Sequence, residues 1–170
     1  MIALLIAFVL LPGEAATPLP PATPLAPGIS SALDRMDGAP VHLLRVRPGA
    51  ARWRFLRPPE PGGSMGVEDV TAEDGPLVAF NGGYFDTDGA PMGLMVHEGR
   101  EINPLRKADW GVFWIDRKGQ GHLHHRKTFR WPAWADKVDF AVECGPRVRT
   151  GGEAIRVRPL RHRGKDIRHL

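Results

Sequence analysis

Cysteine is nearly absent from this sequence, since Cys144 is the single one among 170 residues. An intrachain disulfide is therefore excluded, and a chain of this length must be stabilised by one packed core of ordinary size. A catalytic thiolate at Cys144 would need a neighbouring base, and the sequence identifies none. The favoured interpretation is a small buried side chain on a strand.

Long apolar runs are also scarce, and the one that stands out is at the N-terminus. Residues 2–11 have the length of a signal-peptide core and are too short to span a bilayer comfortably. Gly13 and Ala15 are the small residues that signal peptidase requires, with cleavage after Ala16 as the other option. We expect residues 1–16 to be a signal peptide of an exported protein, periplasmic or secreted, without a stable membrane span. The alternative is a buried N-terminal strand, which the following prolines disfavour.

Helical periodicity and internal repeats are missing, whereas glycine and proline number 20 and 17. Short helices are expected only at 30–37 and 67–73, and residues 17–37 as a whole are predicted to be a proline-rich linker with a short helix. Strands are predicted where short apolar or alternating stretches lie between turns: 41–46, 51–56, 77–80, 92–96, 111–115, 121–125, 139–143, 147–149 and 154–157. The prediction is an α+β fold, mainly an antiparallel sheet of short strands with a few helices.

The net charge of +4 comes with an arginine-rich segment after Gly145. Such a surplus favours anionic partners, including phosphates, anionic polysaccharide and lipid head groups. A solvated basic tail explains the same charge without any partner. Nucleic acid is not expected, because no motif that reads it accompanies the charge. The oligomeric state is left open.

Three histidines near the middle of the chain suggest a metal site at first sight. On a strand, His122 and His124 would share one face. Two histidines without a matching carboxylate or thiol are a poor site, and Arg126 and Lys127 beside them add repulsion. The sequence therefore predicts a solvated strand face and no metal site at these histidines, and it leaves any cofactor unknown.

The most informative stretch is 77–96, in which residues 81–86 read Asn-Gly-Gly-Tyr-Phe-Asp. A strand at 77–80 and a tight turn at 86–89 would place Asn81 and Asp86 at a strand end. Glycine lets another group approach the backbone closely, and N–H groups there can meet an anionic or sugar ligand. Ordinary hairpin chemistry accounts for the same residues without a ligand.

Two segments carry a resemblance to a known family. Residues 81–86, followed by Gly-Leu-Met-Val at 93–96 and by Gly99, are similar to the opening motif of the phosphodiester glycosidase domain family. Residues 142–148 (Val-Glu-Cys-Gly-Pro-Arg-Val), with glycines at 151 and 152, resemble its later glycine-proline strand. That family includes N-acetylglucosamine-1-phosphodiester alpha-N-acetylglucosaminidase and bacterial envelope or exopolysaccharide proteins. The resemblance covers roughly residues 40–158.

The resemblance implies an exported hydrolase that acts on a sugar-1-phosphodiester of the envelope or exopolysaccharide. It implies that a carboxylate, sugar-binding donors and a phosphate-binding cation converge. An ion pair between Glu143 and Arg147, or an exposed Arg147, is the alternative to a phosphate contact. The site residues that it implies are Asp86 and Asn81 as catalytic, and Gly82, Gly83, Tyr84, Gly145 and Arg147 as substrate-binding.

Two later segments of the family, an arginine-threonine-alanine type and an aspartate-glycine-glycine type, are not found after residue 158. Residues 38–170 are therefore expected to be the N-terminal portion of such a domain, incomplete at the C-terminus. Two other functions stay open: a non-catalytic envelope protein that binds anionic glycan, and an inactive truncated fragment. Several tryptophans are candidates for stacking on sugar rings, with core packing expected at least for Trp114: Trp110, Trp114, Trp131 and Trp134.

Overall fold

The structure, a computed structural model, is all-β in the part that it describes. Within that part no residue is helical, so the predicted α+β class is wrong. Residues 30–36 of the expected first helix lie in a strand, and the second, 67–73, lies outside the described residues. The described residues are 20–36, 38–56, 77–80, 82–86, 89–145, 149–150, 153–154, 160–162 and 165–167.

The strands are short and are joined mainly by turns. Their bounds are β1 (Thr23–Ala26), β2 (Ile29–Met36), β3 (Ala39–Val46), β4 (Met95–His97), β5 (Arg100–Asn103), β6 (Gly111–Asp116), β7 (Gly121–His125), β8 (Val138–Cys144), β9 (Arg149–Thr150), β10 (Glu153–Ala154), β11 (Leu160–His162) and β12 (Lys165–Ile167). Two larger antiparallel sheets result, together with the separate hairpins β9–β10 and β11–β12.

The first sheet has the order β1-β2-β3. Strand β2 pairs with β3 over its whole length, from Ile29 opposite Val46 to Met36 opposite Ala39. The predicted linker and helix at 17–37 are thus wrong for residues 23–36, because pairing with β3 overrides the weak local helix signal. The strand predicted at 51–56 is also wrong, because these residues are irregular in the structure.

The second sheet has the order β5-β4-β8-β6-β7, with β8 at its centre. It confirms the strands predicted at 111–115, 121–125 and 139–143, and the hairpin turn at Glu98 and Gly99. Strand β8 pairs antiparallel with both β4 and β6, which are far from each other in sequence. Strand β8 is paired on both edges, and its side chains at Val138, Phe140, Ala141 and Glu143 are buried.

Both faces of this sheet are covered. One face packs a buried core of Leu94, Val96, Val112, Trp114, Phe129, Val138 and Ala141. On the other face, Trp53 contacts Phe113 and Phe140, and Phe55 stacks on Phe140 at 4.5 Å between ring centroids. Alternation along a strand places Val112 and Phe113 on opposite faces, which explains the two layers.

Residues 77–80 do not form the buried strand that was predicted. Leu77 is 51% exposed and Val78 is also exposed, and the segment is irregular. Phe80 instead packs edge-on against Trp53, so the apolar run anchors a loop to the sheet. Among the residues that the structure describes, none belongs to a helix of the length and apolar character that crossing a membrane requires.

Candidate functional site

The predicted turn after the diglycine is the tip of a hairpin. The N–H of Met92 donates to the carbonyl of Tyr84 at 2.8 Å, and that of Asp86 donates to the carbonyl of Ala90 at 2.9 Å. Gly89 closes the turn onto the carbonyl of Asp86 and has a positive φ of 75°. The exposed Asp86 carboxylate accepts the N–H of Ala90 at 2.9 Å. This geometry is the hairpin chemistry that the sequence left as an alternative, and it leaves the carboxylate at the surface.

A buried carboxylate lies near the end of β8. Glu143 is 1% exposed, and its Oε2 accepts the N–H groups of Leu94 at 2.9 Å and Arg106 at 2.8 Å. Its Oε1 is buried and has no hydrogen-bond partner. A buried carboxylate is costly unless it is well paired. Glu143 therefore fixes two separate loops against the central strand.

The loop after β5 is hydrogen-bonded to the hairpin and to Glu143. The side-chain amide of Asn103 donates to the carbonyls of Pro91 at 3.0 Å and Gly93 at 2.8 Å. Arg126 donates through Nε to the carbonyl of Arg106 at 2.8 Å. These contacts join the hairpin, the 103–106 loop and the turn after β7 around Glu143.

Aromatic side chains form one wall of this junction. The rings of Tyr84 and Trp110 lie 5.3 Å apart, and the guanidinium of Arg106 lies 5.6 Å from the centre of the Trp110 ring. Tyr84 is 41% exposed. A Cβ on Gly145 would come within 2.1 Å of Cδ1 of Trp110, so the ring occupies the space that the missing side chain leaves. The result is an aromatic surface with a cation beside it.

Gly83, the second glycine of the diglycine, and the later Gly93 lie against the backbone of Glu143. A Cβ on Gly93 would be 2.5 Å from the carbonyl oxygen of Glu143, and one on Gly83 would be 3.3 Å from the same atom. Gly82 has more space, with its nearest neighbour, Val142, at 3.7 Å. Close backbone approach is therefore the use of glycine at 83 and 93.

Two ionisable groups at the junction favour their neutral forms. Burial, and then the charge of Cys144, raise the pKa of Tyr84 above its ordinary value. Burial also raises the pKa of the Cys144 thiol, although a hydrogen bond with Gly145 opposes the shift. A thiol whose pKa is raised is not an activated nucleophile, which agrees with the structural interpretation of Cys144.

Two histidines of β7, His122 and His124, pack against the core residue Trp114 and are not on a solvated face as predicted. His122 stacks on Trp114 at 4.2 Å between ring centroids and bonds the Asp116 carboxylate at 3.1 Å. Burial raises the pKa of Asp116, but hydrogen bonds from the Gln120 N–H, His122 and the Lys118 N–H outweigh it, and the pKa lies below its usual value. In the described ranges, no three histidine, cysteine or acidic side chains are grouped so as to hold a metal ion.

The structure brings together some of the sequence-predicted site residues. Gly83, Tyr84 and Gly145 meet around Glu143 and Trp110, and Gly82 lies next to them, beside Val142. Asp86 lies at the hairpin tip, whereas Asn81 and Arg147 are outside the described residues.

Sequence reasoning missed Arg106 and Asn103 and gave Glu143 only an ion-pair role. For Glu143 a signal existed, because alternation along the predicted strand 139–143 places it on the same face as the apolar Ala141. Arg106 had no such signal, since it is joined to Glu143 through its backbone N–H.

Comparisons of the chain with protein-family models, with curated proteins and with solved structures gave no match in any of the three.

Proposed function

We propose that this chain contributes a sugar-phosphodiester site of the phosphodiester glycosidase type, in an exported periplasmic or secreted protein. One observation carries the proposal: the two segments with the family resemblance, around residues 83–94 and 143–145, are in direct contact. Leu94 and Glu143 form two hydrogen bonds with each other, and Gly83 lies against the Glu143 carbonyl. Segments about fifty residues apart thus form one surface, as a shared site requires.

The junction offers the groups that a sugar phosphate needs. Exposed ring surface at Tyr84, backed by Trp110, is suited to stacking on a sugar ring. The guanidinium of Arg106 is beside Trp110 and can bind phosphate oxygens in bidentate fashion. Arg147 follows Gly145 by two residues and is proposed as a second phosphate ligand. Substrate would therefore lie across the aromatic wall, with its phosphate toward Arg106.

The chemistry would be assigned to Asp86 and Asn81. Cleavage at the anomeric carbon develops positive charge on the sugar, which a carboxylate stabilises, while the phosphate departs as an anion and needs a cation. Asp86 is exposed and can reach a ligand at the surface. Glu143 is 1% exposed and is not placed to touch substrate. Its role is to position Leu94 and Arg106.

A second candidate function is binding of anionic glycan without turnover. It is favoured by the Asp86 carboxylate, which accepts the Ala90 N–H within its own turn, as a structural aspartate does. The aromatic wall and Arg106 serve binding equally well in either case.

Turnover separates the two candidates. The full chain is incubated with the methyl phosphodiester of N-acetylglucosamine 1-phosphate, and free N-acetylglucosamine is measured together with binding. Asp86→Asn should abolish release and retain binding, whereas Asp34→Asn, an exposed aspartate that bonds its neighbour Arg35, should change neither. Binding without release by the wild-type chain would leave the second function. Neither binding nor release would contradict both.

A further inference from the structure

The Trp110 side of the junction carries a concentration of positive charge. Two loops supply it: residues 105–110, which precede β6, and residues 126–130, which follow β7. Because β6 and β7 are antiparallel, both loops lie at the same end of the larger sheet. They contain five cations and one acidic residue, Asp109. We call the five cations the basic surface: Arg106, Lys107, Arg126, Lys127 and Arg130.

Hydrogen bonds hold the two loops side by side. The backbone N–H of Arg126 donates to the carbonyl of Trp110 at 3.0 Å, and its Nε donates to the carbonyl of Arg106 at 2.8 Å. The side chains of Lys107 and Lys127 are exposed. The basic surface therefore begins at Arg106, the phosphate ligand of the proposed site, and continues onto the second loop.

The basic surface is not neutralised within the described part of the chain. Asp109 is hydrogen-bonded to Nε2 of His125 at 2.7 Å, and no acidic side chain of a described residue forms a salt bridge with any of the five cations. Like charges close together repel one another and attract anions. A ligand with one phosphate, bound at Arg106, would leave the other four cations without an opposite charge.

We propose that the substrate at this site is a polymer of phosphodiester-linked sugars, and that the basic surface binds the phosphates of its neighbouring repeating units. This inference rests on the proposed sugar-phosphodiester site and extends it beyond the reacting unit. Lysine binds phosphate as a point charge on a flexible stem. Lys107 and Lys127 are therefore suited to a flexible polymer whose phosphates take no single fixed position.

A sugar polymer fits this surface better than a nucleic acid does, although both carry repeated phosphates. Single-stranded nucleic acids are bound through aromatic side chains that stack on successive bases. The aromatic residue of the second loop, Phe129, is 4% exposed and belongs to the core. Beyond Trp110 the basic surface thus offers charge for phosphates and no ring for a base.

Calorimetric titration of the full chain with two ligands tests the proposal. One is the methyl phosphodiester of N-acetylglucosamine 1-phosphate, and the other is a pentamer of N-acetylglucosamine joined by phosphodiester bonds. With concentrations expressed in repeating units, the pentamer should bind about tenfold more tightly, because each further contact with an exposed charge adds a small favourable term. Added salt should weaken the binding of the pentamer more than that of the monomer.

A pair of lysine substitutions assigns the effect to the basic surface. Lys107→Gln together with Lys127→Gln leaves Arg106 in place, and it should raise the Kd for the pentamer about tenfold and that for the monomer less than about twofold. Lys118→Gln together with Lys137→Gln is the matched control, because it removes two exposed lysines at the opposite end of the same sheet. The control should leave both Kd values unchanged.

The outcomes separate this inference from the proposed function. A pentamer that binds no more tightly per repeating unit than the monomer would overturn the inference and leave the proposed function in place. Equal weakening by the two pairs of substitutions would also overturn it, because net charge would then explain the affinity. Oligothymidylate with five phosphates, bound as tightly as the pentamer, would overturn the assignment to a sugar polymer. Failure of both sugar ligands to bind would contradict the proposed function itself.

Discussion

Leu94 and Glu143 are bonded in both directions. The backbone N–H of Glu143 donates to the carbonyl of Leu94 at 2.9 Å, and the N–H of Leu94 donates to the Glu143 carboxylate at 2.9 Å. The hydrogen bond from the Leu94 N–H to the Glu143 carboxylate lies outside the pairing of β8 with β4. It connects β8 to the segment that precedes β4 and follows the hairpin. The candidate site is therefore built on the central strand of the larger sheet, where the backbone is most firmly held.

Removing the Glu143 carboxylate should destabilise the fold strongly. In Glu143→Ala the N–H groups of Leu94 and Arg106 lose their acceptor, and we expect the free energy of unfolding to fall by about 3 kcal/mol. Glu143→Gln keeps one acceptor oxygen and should cost about 1 kcal/mol. Urea unfolding followed by tryptophan fluorescence measures both. Glu98→Gln, at an exposed turn position, is the control and should stay within about 0.5 kcal/mol of wild type. A Glu143→Ala chain as stable as this control would show that the carboxylate does not hold the junction.

Alanine substitutions at three glycines of the junction should lower the free energy of unfolding by different amounts, because the space for a methyl group differs between the three positions. Gly93→Ala places a methyl group 2.5 Å from the Glu143 carbonyl oxygen, which is sheet backbone and cannot yield, so we expect a loss of about 3 kcal/mol. Gly83→Ala, at 3.3 Å from the same atom, should cost about 1 kcal/mol. Gly82→Ala has ordinary contacts and should change stability by less than about 0.5 kcal/mol. Thermal unfolding of the three variants gives the order, and a Gly82→Ala chain less stable than Gly93→Ala would contradict it.

The sequence predicted the β6–β7 hairpin well because its information is local. Alternating side chains define both strands, and the turn at 116–119 ends in Gly119, which has the positive φ that such a turn needs. The pairing of β8 between β4 and β6 could not be predicted in this way, since no local pattern states which distant strands become neighbours. Strand β2 was missed for a similar reason: residues 29–36 become a strand through their pairing with β3.

The candidate site was predictable only where glycine marks it. Gly83 pointed to the close approach of another group, which the structure shows to be the Glu143 backbone, and Gly145, singled out through the resemblance, lies against the Trp110 ring. Arg106 lies in an irregular loop, and its bond to Glu143 uses a backbone N–H that every residue except proline possesses. Side-chain identity therefore carried no information about that contact.

Anion binding at the junction should depend on Arg106. Arg106→Gln removes the charge beside Trp110, and we expect the Kd for N-acetylglucosamine 1-phosphate to rise about tenfold, because charge-assisted hydrogen bonds to phosphate are lost. Arg100→Gln removes an exposed charge from β5 and is the matched control, with an expected change of less than twofold. Titration calorimetry at two salt concentrations measures both variants. Equal weakening by the two substitutions would indicate a diffuse electrostatic attraction instead of a site at Arg106.

Stability should fall between neutral and mildly acidic pH because of His124. The indole N–H of Trp114 can only donate, so Nδ1 of His124, at 2.9 Å, must be the unprotonated acceptor. Burial, and then the neighbouring His122, lower the pKa of His124 below its ordinary value. The unfolded chain therefore takes up a proton near pH 6.5 while the folded chain does not. The contribution of His124 to the free energy of unfolding is fully present above about pH 6.5. It is lost as the pH falls from there toward the lowered pKa of His124 in the folded chain.

Urea unfolding at pH 7.5 and 5.5 measures this loss of stability. His124→Gln supplies an acceptor that does not titrate in this range, so the difference in unfolding free energy between the two pH values should shrink. His42→Gln, at an exposed position of β3, should keep the wild-type difference. If His124→Gln keeps that difference as well, another group is responsible for the acid sensitivity, and the Trp114–His124 hydrogen bond is not its origin.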